Sequence, residues 1–241
     1  MKTGILLPQF DAGPGELLGA ARLAEESGLD SVWVFDSLWG MPNRDRPVLE
    51  AWTALAMVAA STTRITVGSL VLRTTVRNRA VLLHMARSLQ LWAPGRLVLG
   101  LGIGDDRTSR EQAAHGLDYP PVAERTEELR LHLELFGTEL PQVPLWIGGG
   151  SRQVMSLIPL AAGWNYWGSV DGFTRRLSRA RALAGDRPVQ LSWAGSRVTR
   201  DELGRLAAVG ADHAIVAAGS RNYREKIRTL AQFRDSHPPA E

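Results

Sequence analysis

The stretch that decides the fold is residues 65–103, "ITVGSLVLRTTVRNRAVLLHMARSLQLWAPGRLVLGLGI". Its two ends, "ITVGSLVL" at 65–72 and "RLVLGLGI" at 96–103, are apolar at successive positions rather than at every second one. Strands of that pattern are covered on both faces, as in parallel sheets. Between them Leu82, Met85, Leu89 and Trp92 recur at helical spacing, and Ala93-Pro94-Gly95 breaks the run. The segment reads as strand, helix, strand, and two parallel strands need such a crossover.

The same alternation extends in both directions. Further strand-like runs are "GILLPQ" at 4–9, "SVWVFD" at 31–36, "VPLWIGG" at 143–149, "WNYWG" at 164–168, "VQLSWA" at 189–194 and "HAIVAAG" at 213–219. Helical periodicity marks 15–27 (Leu17, Ala21, Ala24, with Gly28 as the stop) and 122–136 (Leu129, Leu133, Phe136). It also marks 199–209 (Leu203, Leu206, Val209) and 221–235 (Ile227, Leu230, Phe233). Eight strand–helix units predict a (β/α)8 TIM barrel. An open doubly wound sheet has the same local pattern, because sequence does not show closure. No linker divides the chain, so one domain over 1–241 is expected. The irregular interval 104–121 reads as a loop at the barrel mouth.

Composition narrows the function. Hydrophobic residues make up 44% and charged residues 22% of 241, a globular balance, with a net charge of +3. The basic charge is almost all arginine, Lys2 and Lys226 being the lysines. Arg175, Arg176, Arg179 and Arg181 surround a helical surface without interleaved aromatics, which argues against a nucleic-acid partner. The absence of cysteine excludes disulfides, thiolate metal sites and a cysteine nucleophile. No run has the length of a membrane span and no charged leader precedes the first strand, so a cytoplasmic protein is expected. His84, His115, His132, His213 and His237 form no metal-ligand spacing, and no metal is expected.

In parallel barrels chemistry gathers at the carboxyl ends of the strands. Asp36 closes the second run and is followed by Ser37-Leu38-Trp39; it serves either as a turn cap or as a chemical group. Arg73 and Thr74 follow the third run, and Asp105 and Asp106 the fourth. "GLGIG" there begins like a dinucleotide fingerprint, but Asp105 stands where its third glycine belongs. Gly148-Gly149-Gly150-Ser151 after the fifth run is either a tight turn or a row of N–H groups suited to phosphate. Gly219-Ser220-Arg221 is a second candidate anion contact. Trp39, Trp167 and Trp193 read as walls of a flat apolar pocket, with Asp105 at its rim. A pocket for a ring plus a phosphate cradle, without metal or nucleophile, suits a bound redox cofactor.

On "GILLPQF", "ARLAEESGLDSVWVFDSLW", the long stretch from Thr62 through Asp106, "PLWIGGGS" and "AAGWNYWG", the chain resembles the bacterial luciferase-like flavin- and F420-dependent oxidoreductases. The resemblance implies a (β/α)8 barrel that holds coenzyme F420 or FMN at its mouth and forms a homodimer. It implies a strand-three bulge with a non-proline cis peptide behind the cofactor ring, which maps onto Ser69-Leu70. Asp36, Ser69, Leu70, Gly102, Gly148, Gly149, Gly150 and Ser151 are then the expected cofactor-binding residues, and Asp36 and Trp39 the expected catalytic ones. The implied activity is hydride transfer between F420 and a small organic substrate. An FMN-dependent reductase or monooxygenase is the alternative, and a non-catalytic flavin- or deazaflavin-binding protein the alternative of another class. A cofactor-free phosphate-sugar enzyme would need a Lys or His at a strand end, which the pattern lacks. Two departures stand out. Asp36-Ser37 replaces the Asp-His of many deazaflavin users, and the insertion before "PLWIGG" is short, which predicts an open mouth.

Overall fold

Helices and strands alternate along the whole chain in the computed structural model, which describes residues 1–40, 43–197 and 199–236. His237 lies outside these residues. The strands are β1 (Lys2–Leu6), β2 (Ser31–Val34), β3 (Thr66–Arg73), β4 (Leu97–Gly102), β5 (Leu145–Gly148), β6 (Gly163–Trp167), β7 (Gln190–Gly195) and β8 (His213–Ala217). They close into a barrel in chain order, each pair parallel, with β8 returning to β1 from Lys2–His213 through Leu6–Ala217. This is the expected (β/α)8 barrel, and closure excludes the open sheet.

Around it run α1 (Pro14–Glu26), α2 (Ala51–Ser61), α3 (Arg79–Trp92), α4 (Asp106–Ala114), α5 (Val122–Glu139), α6 (Arg152–Met155), α7 (Val170–Ala184), α8 (Arg200–Ala208) and α9 (Tyr223–Ser236). The boundaries follow local chemistry. Asn78 caps α3 by accepting from the N–H groups of Ala80 and Val81, and Pro94 follows its end. Pro14 opens α1, and Gly28, at φ +74°, turns the chain out of it. The buried faces of these helices and the outward side chains of the strands make one continuous core.

Two expectations are corrected. The interval 104–121 is not all loop, because "DRTSREQAA" forms α4. Asp105 caps it, accepting from the N–H groups of Arg107 and Thr108, so charge-rich composition there reflects an exposed helix. The buried residues of α4 are Glu111 and Gln112, so polar contacts hold it in place.

Inside the barrel, Leu6, Trp33, Leu70, Val98, Trp146, Ala194 and Ile215 fill the lumen. At the amino end Trp33 Nε1 donates to Ser31 Oγ (2.6 Å), which lies 2.8 Å from His213 Nε2. Burial, reinforced by Lys2, pushes the His213 pKa down to about 3, so the ring is neutral where it meets the Ser31 hydroxyl. The second correction concerns the bulge. The cis peptide is Leu70–Val71 rather than Ser69–Leu70, and the β3–β4 register slips between Ser69 and Leu72. Ser69 stays in register because its hydroxyl donates to Gly100 O and accepts from Gly100 N.

Candidate functional site

The register slip turns Val71 inward at the carboxyl half of the barrel. A Cβ added at Gly102 or Gly148 would fall against the Val71 side chain, at 2.7 Å in the case of Gly148, and one added at Gly100 would meet the Ser69 carbonyl oxygen. These glycines on β4 and β5 therefore make room for the bulge, and packing explains Gly102 without a cofactor. Leu70, also predicted as a cofactor contact, belongs to the buried lumen.

Asp36, just past β2, is 7% exposed and heavily engaged. Arg77 grips it with both terminal nitrogens, Nη1 to Oδ2 and Nη2 to Oδ1, each at 2.9 Å. Arg73 N donates to Oδ2 at 2.8 Å. Arg77 also reaches Glu50 (2.6 Å). Burial pulls the Glu50 pKa upward, but the N–H groups of Thr53 and Trp52 and the Arg77 guanidinium outweigh it and hold the carboxyl below its ordinary value. Next to this pair, the buried Glu111 carboxylate receives Arg73 Nη1 and the backbone N–H groups of Leu38 and Trp39. One side chain of α4 thus ties together the segments after β2 and β3. A carboxylate whose two oxygens meet a bidentate guanidinium is an anchor, and this is the place the structure gives Asp36.

After β5 the chain turns through Gly148, Gly149, Gly150 and Ser151. Gly149 has φ +138°, a conformation that excludes most side chains, and its N–H donates to Asn165 O at 3.0 Å. Gly149 N–H is thus not available to phosphate, which corrects that part of the cradle. Ser151 caps the short α6 by accepting from Val154 N. Arg176 donates from Nε to Gly150 O (3.1 Å) and from Nη1 to Gly172 O (3.0 Å), with its guanidinium 4.8 Å from the Tyr166 ring centroid. A fixed cation therefore borders this turn.

The three tryptophans do not share a pocket. Trp193 is buried in the layer between strands and helices, because its neighbour Ala194 faces the lumen; Nε1 donates to Gly168 O at 2.9 Å. It is a core residue and not a pocket wall. Trp39 is half-buried, edge-on to His115, and lines a recess with Arg44, Pro47 and Val48. Trp167, 45% exposed, packs edge-on against Phe35 at 5.5 Å, and Phe35 against Phe10 at 5.8 Å. This aromatic row lines a cavity of about 680 Å3 together with Arg197, Ala217, Gly219 and Lys226. That volume is typical of small-molecule sites, about 300–1,000 Å3. Lys226 donates to Ser196 O (2.7 Å) and Ala217 O, and burial draws its pKa below the ordinary lysine value, partly offset by Glu225. Gly219, Ser220 and Arg221 line an adjoining recess with Phe10 and Asn222. Asp105, expected at a pocket rim, is taken up by the α4 N-terminus.

Among the described residues, no group of His, Asp and Glu side chains is placed to hold a metal ion. No helix among them is long and apolar enough to cross a membrane.

Residues 1–188 match the sequence model of the luciferase-like monooxygenases. The chain belongs to that family. Among its relatives, an F420-dependent glucose-6-phosphate dehydrogenase of Kineococcus radiotolerans is 37% identical over 131 residues, 54% of this chain and 38% of that protein. An enzyme of the same name from Amycolatopsis mediterranei is 36% identical over 138 residues, 56% of this chain and 40% of that one. The matched stretch thus spans at most 40% of either relative's own length. The barrel superimposes on an F420-dependent secondary alcohol dehydrogenase solved with an F420–acetone adduct, with a TM-score of 0.79 at 13% identity over 96% of this chain and 97% of that one. It superimposes equally on the EDTA monooxygenase of Chelativorans sp. BNC1, with a TM-score of 0.79 at 12% identity over 99% of this chain and 94% of that one. At such identities the shared feature is the fold.

Within this luciferase-like barrel, sequence reading missed Arg77, Glu111, Arg176 and Lys226 as parts of the mouth. Arg77 lies 41 residues from Asp36, and Glu111 38 residues from Arg73, so no local spacing links them. One signal for Glu111 was present: Asp105 followed by Thr108 is a helix-capping pattern, and both halves of that box are formed.

Proposed function

We propose that this luciferase-like protein is an F420-dependent oxidoreductase that transfers a hydride between the deazaflavin and a small organic substrate. The observation that carries the reading is its 36–37% identity to relatives named as F420-dependent dehydrogenases. The residues present fit such a cofactor. Gly150 and Ser151 with Arg176 beside them suit an anionic tail. Phe35 and Trp167 supply apolar lining, with Lys226 and Arg197 in the same cavity for a polar or anionic substrate group. When bound, the deazaflavin supplies or accepts the hydride. The chain orients both molecules and limits water, and Asp36 fixes the strand-end loop through its arginine pair.

The FMN-dependent reading is second. It is supported by the family's description as monooxygenases and by the shared fold of the EDTA monooxygenase. We also infer a homodimer, supported by Leu91 (83% exposed) and Trp92 (70%) at the end of α3, which are apolar side chains that association would cover. Sedimentation of the purified chain reads its mass directly. Separate fluorescence titrations with F420 and FMN test the cofactor. Saturable binding of F420 in preference to FMN is expected; preference for FMN selects the second reading, and binding of neither removes both.

A further inference from the structure

Of the 28 Lys and Arg residues in the chain, Lys2 and Lys226 are the lysines. Lys2 is exposed at the start of β1. Lys226, on α9, is half-buried and lines the cavity of about 680 Å3 together with Phe10, Phe35 and Trp167. The residue type matters here, because an arginine keeps its proton in a protein and a lysine can lose one. An amine in a cavity is therefore a nucleophile that no guanidinium can replace.

Lys226 Nζ donates to Ser196 O and Ala217 O, and both of those residues line the same cavity. Among the described residues, no carboxylate stands at hydrogen-bond or ion-pair distance from it. The charged groups that share the cavity are Glu225 on α9, Glu202 on α8 and Arg197 after β7. Burial lowers the pKa of the amine against the opposing pull of Glu225. A free amine has two N–H groups and one lone pair, so the two carbonyls satisfy both donors and leave the lone pair uncommitted. An ammonium would need a third acceptor. Lysines become nucleophiles when an apolar site desolvates them, and the aromatic row supplies apolar surface in this cavity.

We propose that Lys226 is a nucleophile that captures aldehydes or ketones with an apolar body as a protonated imine. The Nζ lone pair attacks the carbonyl carbon, a C–N bond forms and the C–O bond breaks. Counted from the ammonium, two protons leave with the oxygen as water and the third stays on the imine nitrogen. No oxidant or reductant is consumed, and hydrolysis reverses the step. The remaining N–H keeps one of the two carbonyl acceptors, and Phe10, Phe35 and Trp167 receive the apolar body. The cavity is the one assigned above to the substrate, but the bond forms without a cofactor.

The wild-type chain is incubated with benzaldehyde and cyanoborohydride, which reduces any imine to a stable amine, and the modified peptides are mapped by mass. Lys2 is the reference within the same molecule. Lys226 is expected to be modified about tenfold faster than Lys2 or more, since a lower pKa raises the fraction of free amine. Excess benzyl alcohol, which has the same body and forms no imine, should slow the reaction at Lys226 and leave Lys2 unchanged. A rate at Lys226 no greater than that at Lys2 overturns the proposal. A faster rate that benzyl alcohol does not slow also overturns it, because the amine is then reactive without a binding site. A chain that captures benzaldehyde yet binds neither F420 nor FMN loses the cofactor reading and keeps this inference.

Discussion

Asp36 carries two guanidinium bonds and one backbone bond in a site closed to solvent, and that determines what its substitution does. Asp36→Asn removes the buried charge and leaves the half-buried Arg77 between Glu50 and an amide. Breaking a buried pair from one side costs about 3–5 kcal/mol, so the variant's urea midpoint is expected to fall by an amount equivalent to about 3 kcal/mol or more. If stability is instead unchanged while turnover drops by about 10²–10⁴-fold, Asp36 is a proton donor after all. The sequence shows that a carboxylate ends the second strand, but not what it does there. Its partners come from the end of β3 and the segment that follows it, and the barrel alone brings them to Asp36. Trp193 misleads for the opposite reason. A tryptophan near a strand end points to the mouth or to the helices according to strand alternation, and the shift of one residue decides which.

On β3 the meaning of a glycine is at issue. Gly68 interrupts a strand-forming run and signals a bulge, but a Cβ there would strike the Trp33 ring, at 2.5 Å from Cζ3. Gly68 therefore accommodates a lumen tryptophan. Space for the bulge is made by Gly100 and Gly102 on β4, the strand paired with β3, and by Gly148 on β5 one strand further on, a juxtaposition not visible in a linear reading. Gly102→Ala is expected to destabilise the protein by about 1–3 kcal/mol through overpacking against Val71. Val71→Ala should recover most of that loss in the double variant. The check is a double-mutant cycle by chemical denaturation, and additive effects would show that the two positions do not meet. α4 is the element that composition obscured, since a helix with a charged surface and two buried polar residues has no apolar stripe to read.

For the whole molecule, the barrel is legible because each strand is covered on both faces and each helix has one apolar side. Closure is not legible, since it depends on β8 meeting β1. That junction sets a pH response. Ser31 of β2 and His213 of β8 meet beside Gly4 of β1, where a Cβ would lie 3.0 Å from His213 Nε2. His213 titrates near 3 in the folded chain and near 6.5 when unfolded. A depressed pKa gives stability that is complete above about pH 6.5 and is lost as the pH falls toward 3, because the unfolded chain takes the proton first. At about 1.4 kcal/mol per pH unit, the loss between pH 7 and pH 5 is about 2 kcal/mol. His132, lowered mainly by burial, adds to the same slope. Urea midpoints at both pH values measure it, and His213→Gln should flatten the response. A variant slope equal to that of the wild type would assign the effect elsewhere.

The Glu111 carboxylate has a mechanical consequence. By joining the chain after β2, the end of β3 and α4, it makes three neighbouring segments move as one body. The rim beyond β7 and β8 has a separate tie in Lys226, which donates to the Ser196 and Ala217 carbonyls beside the large cavity. A molecule lodged against the Glu111 side meets a surface that is already ordered, and little entropy is lost in ordering it.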